Sequence, residues 1–445
     1  MVIRQIDKDE FKIKVNGKWI LITSDVLAEH PGGSAMTTYK DRDATTVFHT
    51  FHGGSKIAYK QLEELQKSNG TDAPPEEPEE ILTEFDHVNI GDFTFSKEKC
   101  DQINKNFDKF RLEMRKQGFF EADNLFFLRK FLESVGIIFA AYYLQYHTFY
   151  LTSAVLMGLA WQQLGWMIHE YTHNQHFKNH WFNDICSYVV GNFLQGFSSA
   201  GWKEQHNIHH AATNVVGRDG DLDLMPLWAT VATDLKVMDM ASWVSNMLPY
   251  QHLYWAFGLP FLRLSWLMQS ITFVVGMPNN FYRVYREKAV YEQIGLSGHW
   301  LVYAIQLYCL PDLETRFIYF MVSQLTGGIL LAHVVTYNHY SMEKFKYTDR
   351  ILEVYACLQL YTTRNMRPGT FIDWLWGGLN YQIEHHLFPT MPRHNLNAVM
   401  PLVKKFCAEN DIPYMVDDYL TGWQHEIQQM KNVAVVAKKL LNKVA

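Results

Sequence analysis

Three groups of histidines in this chain have the spacing of metal ligands. "HEYTH" carries His169 and His173, "HNIHH" carries His206, His209 and His210, and "QIEHH" carries Gln382, His385 and His386. Spacings of i, i+4 and i, i+3, i+4 put each group on one face of a helix. The third group repeats the second with glutamine in the first place. Seven aligned imidazoles exceed the four ligands that one zinc ion usually takes, and they suit two metals. Imidazole-rich coordination with open positions suits iron that must bind oxygen. His176, His180, His252 and His299 lack such a pattern and are read as structural, His176 with the reservation that it follows His173 at i+3. Near the N-terminus "HPGG" sets His30 in front of a sharp break at Pro31, Gly32 and Gly33.

These residues need elements to hold them. The chain has 445 residues, enough for a large domain and a small one. Its net charge of −6 argues against a nucleic-acid partner. None of the five cysteines (Cys100, Cys186, Cys309, Cys357, Cys407) belongs to a CxxC pair, so neither a zinc knuckle nor a disulfide framework is indicated, and reduced thiols facing the cytosol are the simpler reading. The charged N-terminus lacks the apolar run of a secretory signal.

Mean hydropathy is slightly negative, yet apolar residues are concentrated. Phe131 to Ile168 is a run of 38 residues with one acid and no base. As helix it is about 57 Å long, close to two crossings of a roughly 30 Å hydrocarbon core, turned at "QYHTFY". His299 to Tyr340 also fits two crossings, broken at Pro311-Asp312. Aromatic residues near the ends of the first run (Tyr142, Tyr143, Tyr146, Phe149, Tyr150, Trp161, Trp166) favour a membrane interface over the alternative of buried core helices. "KSNGTDAPPEEPEEILTE", residues 67–84, is acidic and proline-rich and reads as a tether. The expected organisation is a small domain at 1–68, a linker at 69–94 and a membrane domain at 95–445.

HxxxH, HxxHH and QxxHH, in this order around two hairpins, resemble the histidine boxes of membrane fatty-acid desaturases. The glutamine of the third box resembles the front-end subgroup, which inserts a double bond between an existing one and the carboxyl end. "AGWKEQHNIHHAATNVVGRDGDLDL" and "FIDWLWGGLNYQIEHHLFPTMPRHNL" are similar to nematode members over nearly the whole chain, more to the Δ5 than to the Δ6 enzymes. The resemblance implies two non-haem iron ions held by the boxes, with a further ligand after the fourth membrane segment. "TYNHY" offers His339 for it, in preference to His333, with Asn338 beside it as a water-mediated partner.

"HPGG" followed by "DATTVFHTFHGG" resembles a cytochrome b5 domain, which front-end desaturases carry at the N-terminus. The resemblance implies haem b with His30 as one axial ligand. His49 and His52 compete for the other place, and the family pattern selects His52. Iron with two axial histidines has no open site, so it moves electrons rather than oxygen.

The fold class expected is therefore a small α+β cytochrome b5-like domain followed by an all-α polytopic domain with about four transmembrane helices and a cytosolic helical cap. An unactivated methylene has no acidic proton, so its hydrogens must be removed by an oxidant derived from O2, with two electrons supplied per turnover. The expected source is NADH through a separate cytochrome b5 reductase, because the chain has no Gly-rich dinucleotide fingerprint. The expected substrate is a polyunsaturated fatty acyl chain on CoA or phospholipid, desaturated at Δ5. The expected place is the endoplasmic reticulum membrane, with the boxes and both termini on the cytosolic face. The rivals are a Δ6 desaturase, a sphingolipid Δ8 desaturase, a di-iron hydroxylase and, from other classes, a non-catalytic haem electron carrier or a metal-binding receptor.

Overall fold

A computed structural model of the chain describes residues 10–73, 89–237 and 242–444. The N-terminal part is a small α/β unit. β1 (Phe11–Val15) and β2 (Lys18–Ile22) form a hairpin whose two turn residues, Asn16 and Gly17, both have positive φ. Alternation along β1 buries Phe11, Ile13 and Val15. β3 (Arg42–Asp43) adds parallel to β1, and β4 (Gly70–Thr71) adds antiparallel to β2. Helices α1 (Ser24–Glu29), α2 (Thr45–Phe51) and α3 (Lys56–Ser68) complete the unit. Because β4 belongs to its sheet, the unit extends past the boundary at residue 68 that the sequence suggested. Most of the acidic linker, residues 74–88, lies outside the described residues.

The rest is mostly helical. In chain order it comprises α4 (Lys97–Lys116), α5 (Asn124–Tyr146), α6 (Tyr150–Thr172), α7 (His180–Ser187) and α8 (Ser199–Ala211). Then come α9 (Gln251–Gly258), α10 (Leu262–Gly276), α11 (Arg283–Tyr308), α12 (Leu313–His339) and α13 (Tyr355–Thr362). Last are α14 (Thr370–Leu375), α15 (Gln382–Leu387), α16 (Leu396–Asn410) and α17 (Tyr419–Val444). α5 and α6 form a hairpin that turns at His147–Phe149, with Thr148 at positive φ. α6 packs on α12 at a small-residue contact: a Cβ added to Gly158 would stand 2.7 Å from Thr326 Cβ and 2.8 Å from the Gly327 nitrogen. Such positions let helix backbones approach where no water drives them together.

Large apolar side chains stand exposed on the outer faces, among them Leu128, Leu132 and Phe139 of α5, Leu301 and Ile305 of α11, and Leu313 and Phe317 of α12. Among the described residues two helical runs are long and apolar enough to cross a membrane, Leu248–Asn279 and Leu313–His339. The second falls in the expected hairpin at 299–340. The first falls between the two expected hairpins, where the sequence suggested no crossing. It is a chain of helical pieces, with Pro249, Pro260 and Pro278 starting successive short turns. The count of four spans is therefore not what helix length and apolarity give.

The small unit shares a core with the large one. Phe11, Ile20 and Leu27 belong to the same buried cluster as Ala200, Ala211, Tyr282 and Tyr285. The Tyr39 hydroxyl donates to the Ala211 carbonyl at 3.1 Å and lies 3.3 Å from that of Leu352.

Candidate metal centre

Four separate elements deliver the histidines. His169 lies in the last turn of α6 and His173 caps that helix, His206, His209 and His210 lie on α8, His339 ends α12, and His385 and His386 lie on α15. Ser198 starts α8 in the right place: its hydroxyl accepts from the Gly201 nitrogen at 3.0 Å and donates to Glu292 at 2.7 Å. Glu384 fixes α15 by accepting from Asn365 Nδ2 at 2.7 Å and from the Tyr414 hydroxyl at 2.6 Å.

The donors converge into two adjoining groups. His169, His173, His206, His210 and His385 place one ligand atom each within 4.8 Å of one another, and so do His209, His339 and His386. The groups abut through His210 and His386, whose ring centres are 4.2 Å apart. His169 Nε2, His173 Nε2, His385 Nε2 and His210 Nδ1 are buried without a hydrogen-bond partner. Buried polar atoms normally have partners, so orphaned nitrogens on histidines whose donor atoms come together fit a metal-binding site.

In the second group the opposite ring nitrogens are tied down. His209 Nδ1 meets Asp219 Oδ2 at 2.8 Å, His386 Nδ1 meets Gln359 Oε1 at 2.8 Å, and His339 Nδ1 meets the Thr362 carbonyl at 3.0 Å. A proton held at Nδ1 fixes the ring and leaves the Nε2 lone pair for a metal. Gln382 joins this group, its amide 3.2 Å from His339 Nε2 and 3.3 Å from His386 Nε2. Turning the amide over would present its oxygen, a metal-ligand atom, at the same point. Burial, then neighbouring imidazoles, push His210, His385 and His386 well below the usual histidine range, so they are neutral and able to ligate at pH 7. His209 goes the other way: burial would lower it, but Asp219 and Asp221 together outweigh burial and raise it.

Other histidines stand apart. His333 Nδ1 bonds the Ile329 carbonyl at 2.6 Å, His299 Nδ1 bonds that of Phe193 at 2.9 Å, and His176 stacks on Phe127 at 3.9 Å. Asp219, Gln359, Thr362 and Asn365 were not singled out from the sequence. Only Asp219 left a signal there, in the acid-rich "RDGDLDL" after the second box.

Residues 147–417 match the family model described as fatty acid desaturase, and this span contains all eight histidines. The chain belongs to the fatty acid desaturase family. This desaturase is 60% identical, over all of both chains, to the Delta(5) fatty acid desaturase fat-4 of Caenorhabditis elegans. It is 46% identical to the Delta(6)-fatty-acid desaturase fat-3 of the same organism, over 96% of this chain and 98% of that one. A Delta(8)-fatty-acid desaturase of Euglena gracilis is 35% identical over 88% of each.

The desaturase's small unit holds a further pair. His30 and His52 face each other with ring centres 6.3 Å apart. Two metal–nitrogen bonds of about 2 Å each, with each nitrogen set in from its ring centre, span a gap of that size. His30 Nδ1 lies 3.2 Å from the Gly33 carbonyl and His52 Nδ1 3.0 Å from that of Phe48, which frees both Nε2 atoms. Burial, with His30 beside it, pushes His52 down to about 4, and burial lowers His30 as well. His49 has both nitrogens engaged, Nδ1 with the Tyr59 hydroxyl at 2.7 Å and Nε2 with Asn16 Oδ1 at 2.8 Å. The geometry fits haem between His30 and His52 and leaves His49 no free nitrogen.

Proposed function

We propose that this desaturase is a front-end Δ5 enzyme acting on C20 polyunsaturated acyl chains. In this reading two iron ions sit in the paired histidine groups and haem b sits in the N-terminal unit. The observation that carries it is the convergence of three distant boxes and His339 on two adjoining donor groups, in a chain so similar to a relative named Δ5. His169, His173, His206, His210 and His385 would hold one iron, and His209, His339 and His386, with Gln382, would hold the other. His30 and His52 would hold the haem, which would pass electrons one at a time.

Bound there, iron supplies the oxidising power of O2: an acyl CH2–CH2 pair, O2, two electrons and two protons become a cis CH=CH and two waters. The chain's own residues set the stage. Asp219, Gln359 and Thr362 fix ring tautomers, and burial of both groups keeps bulk water from the reacting carbons. The small unit, docked through Tyr39, keeps an electron donor beside α8. NADH feeds it through a separate cytochrome b5 reductase.

The domains in this reading are the haem unit, which includes β4 (Gly70–Thr71), the acidic linker that follows it and the membrane domain beyond. α5–α6 and α11–α12 are two membrane hairpins in the endoplasmic reticulum, with the boxes and both termini in the cytosol. Protease protection in sealed microsomes tests the topology, and a shielded tag at either terminus refutes it.

Expression in yeast tests the activity. Cells given a C20 acid unsaturated at Δ8 should form the Δ5,Δ8 product, and C18 acids unsaturated at Δ9 should change little. Gas chromatography with mass-spectral location of the double bond reads the outcome. A new bond at C6 of the C18 acid, with the C20 acid untouched, would make the enzyme Δ6.

A further inference from the structure

Lys203 lies on α8, three residues before His206, with its side chain only 19% exposed. Its ammonium group has no hydrogen-bond acceptor among the described residues. Its ion-pair partner, Asp184, stands 3.9 Å away and gives its short contact, 2.7 Å, to Lys288. Two ammonium groups thus share one carboxylate in a largely buried place. A positive charge so placed calls for an anion.

The surroundings say where that anion comes from. Glu204, the next residue on α8, accepts from the Ser34 hydroxyl at 3.0 Å. Ser34 adjoins Gly33, whose carbonyl orients His30. His180, at the start of α7, is within electrostatic reach of both Lys203 and His52. The helix that carries Lys203 therefore meets the small unit beside His30, through Glu204 and Ser34. Lys203 is also within electrostatic reach of His173.

We propose that Lys203 binds a propionate carboxylate of the haem held between His30 and His52. The inference rests on the haem reading above. Haem carries two carboxylates at one edge, and one of them would supply the anion that Asp184 does not. The haem site is then completed by the enzyme domain, and the propionate edge is fixed against the helix that carries His206, His209 and His210. Trp202, the preceding residue on that helix, has its ring centre 4.1 Å from that of His206.

The test uses the full-length protein in detergent, loaded either with protohaem or with its dimethyl ester, whose propionates carry no charge. The haem midpoint potential is measured by spectroelectrochemistry for wild type, Lys203→Gln and Lys203→Arg. Reduced haem is one charge more negative, so a cation at the propionate favours it. Lys203→Gln should keep the haem absorbance and lower the midpoint by about 30 mV, a threefold change at 59 mV per tenfold for one electron. Lys203→Arg should restore it. With the ester the Lys203→Gln shift should vanish, because the two changes remove the same contact and are not additive. Equal shifts with both haems, or no shift with protohaem, would overturn the proposal. If Lys203→Gln does not accumulate, Lys203→Met makes the same comparison. Wild type that binds no haem would fail differently, by removing the haem reading itself.

Discussion

Asp219→Asn tests whether the second donor group is held from behind. Asp219 is 2% exposed, and its carboxylate makes three contacts. Oδ2 meets His209 Nδ1 and the Asn214 nitrogen, both at 2.8 Å, and Oδ1 meets the Asp221 nitrogen at 3.0 Å. Asparagine keeps the shape and can keep an oxygen at Oδ2, so the contacts to His209 and Asn214 survive without the charge. Its NH2 then faces the Asp221 N–H, donor to donor. One orphaned buried donor costs about 1–3 kcal/mol, which a domain of ordinary stability, about 5–15 kcal/mol, survives. Losing the charge behind His209 should weaken metal binding about 10–100-fold. The loss should fall on the group of His209, His339 and His386 and spare the five-histidine group. The assay is metal content per chain, by plasma mass spectrometry, after equilibration against a graded series of chelator concentrations. One ion should leave at about 10–100-fold lower chelator than in wild type, and the other should follow the wild-type curve. Two ions retained as in wild type, with only the melting temperature lowered, would show that Asp219 supports the fold and not the metal. Two ions lost together would refute the division into separately held groups.

Three further outcomes are expected. His52→Ala should abolish haem absorbance and desaturation while iron content stays at the wild-type level, and His49→Ala should retain haem; the reverse pattern in absorbance spectra would move the axial ligand. His339→Ala should cost the chain one of its two metal ions, whereas His333→Ala should keep both, as metal analysis of the two variants will show. In metal-free protein His210, His385 and His386 are depressed, so below pH 6.5 the unfolded chain binds protons that the native state refuses. Stability should be full above that pH and fall as pH drops, by at most about 1.4 kcal/mol per histidine per pH unit; a melting temperature unchanged between pH 7 and 5 would contradict these directions.

The histidines were legible because helical spacing writes a face into the sequence. His206, His209 and His210 could only project together from one helix, and three such faces in one chain had few other uses. What lies behind them was not legible. Gln359 reaches His386 across 27 residues and Thr362 reaches His339 across 23, and no local pattern announces a pairing made by tertiary packing. The apolar run Leu248–Asn279 escaped notice for a different reason: its prolines break it into pieces too short to read as one helix. The small unit's extension past residue 68 was missed because β4 has two residues, Gly70 and Thr71, which carry no strand signal of their own.

The hydrogen bond that docks the small unit also sets a timetable. The Tyr39 hydroxyl also lies against the Leu352 carbonyl, 313 residues away. At about 5–20 residues per second, a ribosome leaves the N-terminal unit waiting roughly 15–60 s for the far side of that contact to be made. Through that interval Phe11, Ile20 and Leu27 can pack with one another, but the side chains that later cover them from α8 and α11, Ala200, Ala211 and Tyr285, have yet to be synthesised or placed. The nascent unit therefore spends its first minute as an unfinished surface, with His30 and His52 already present on it and the docking partner still to come.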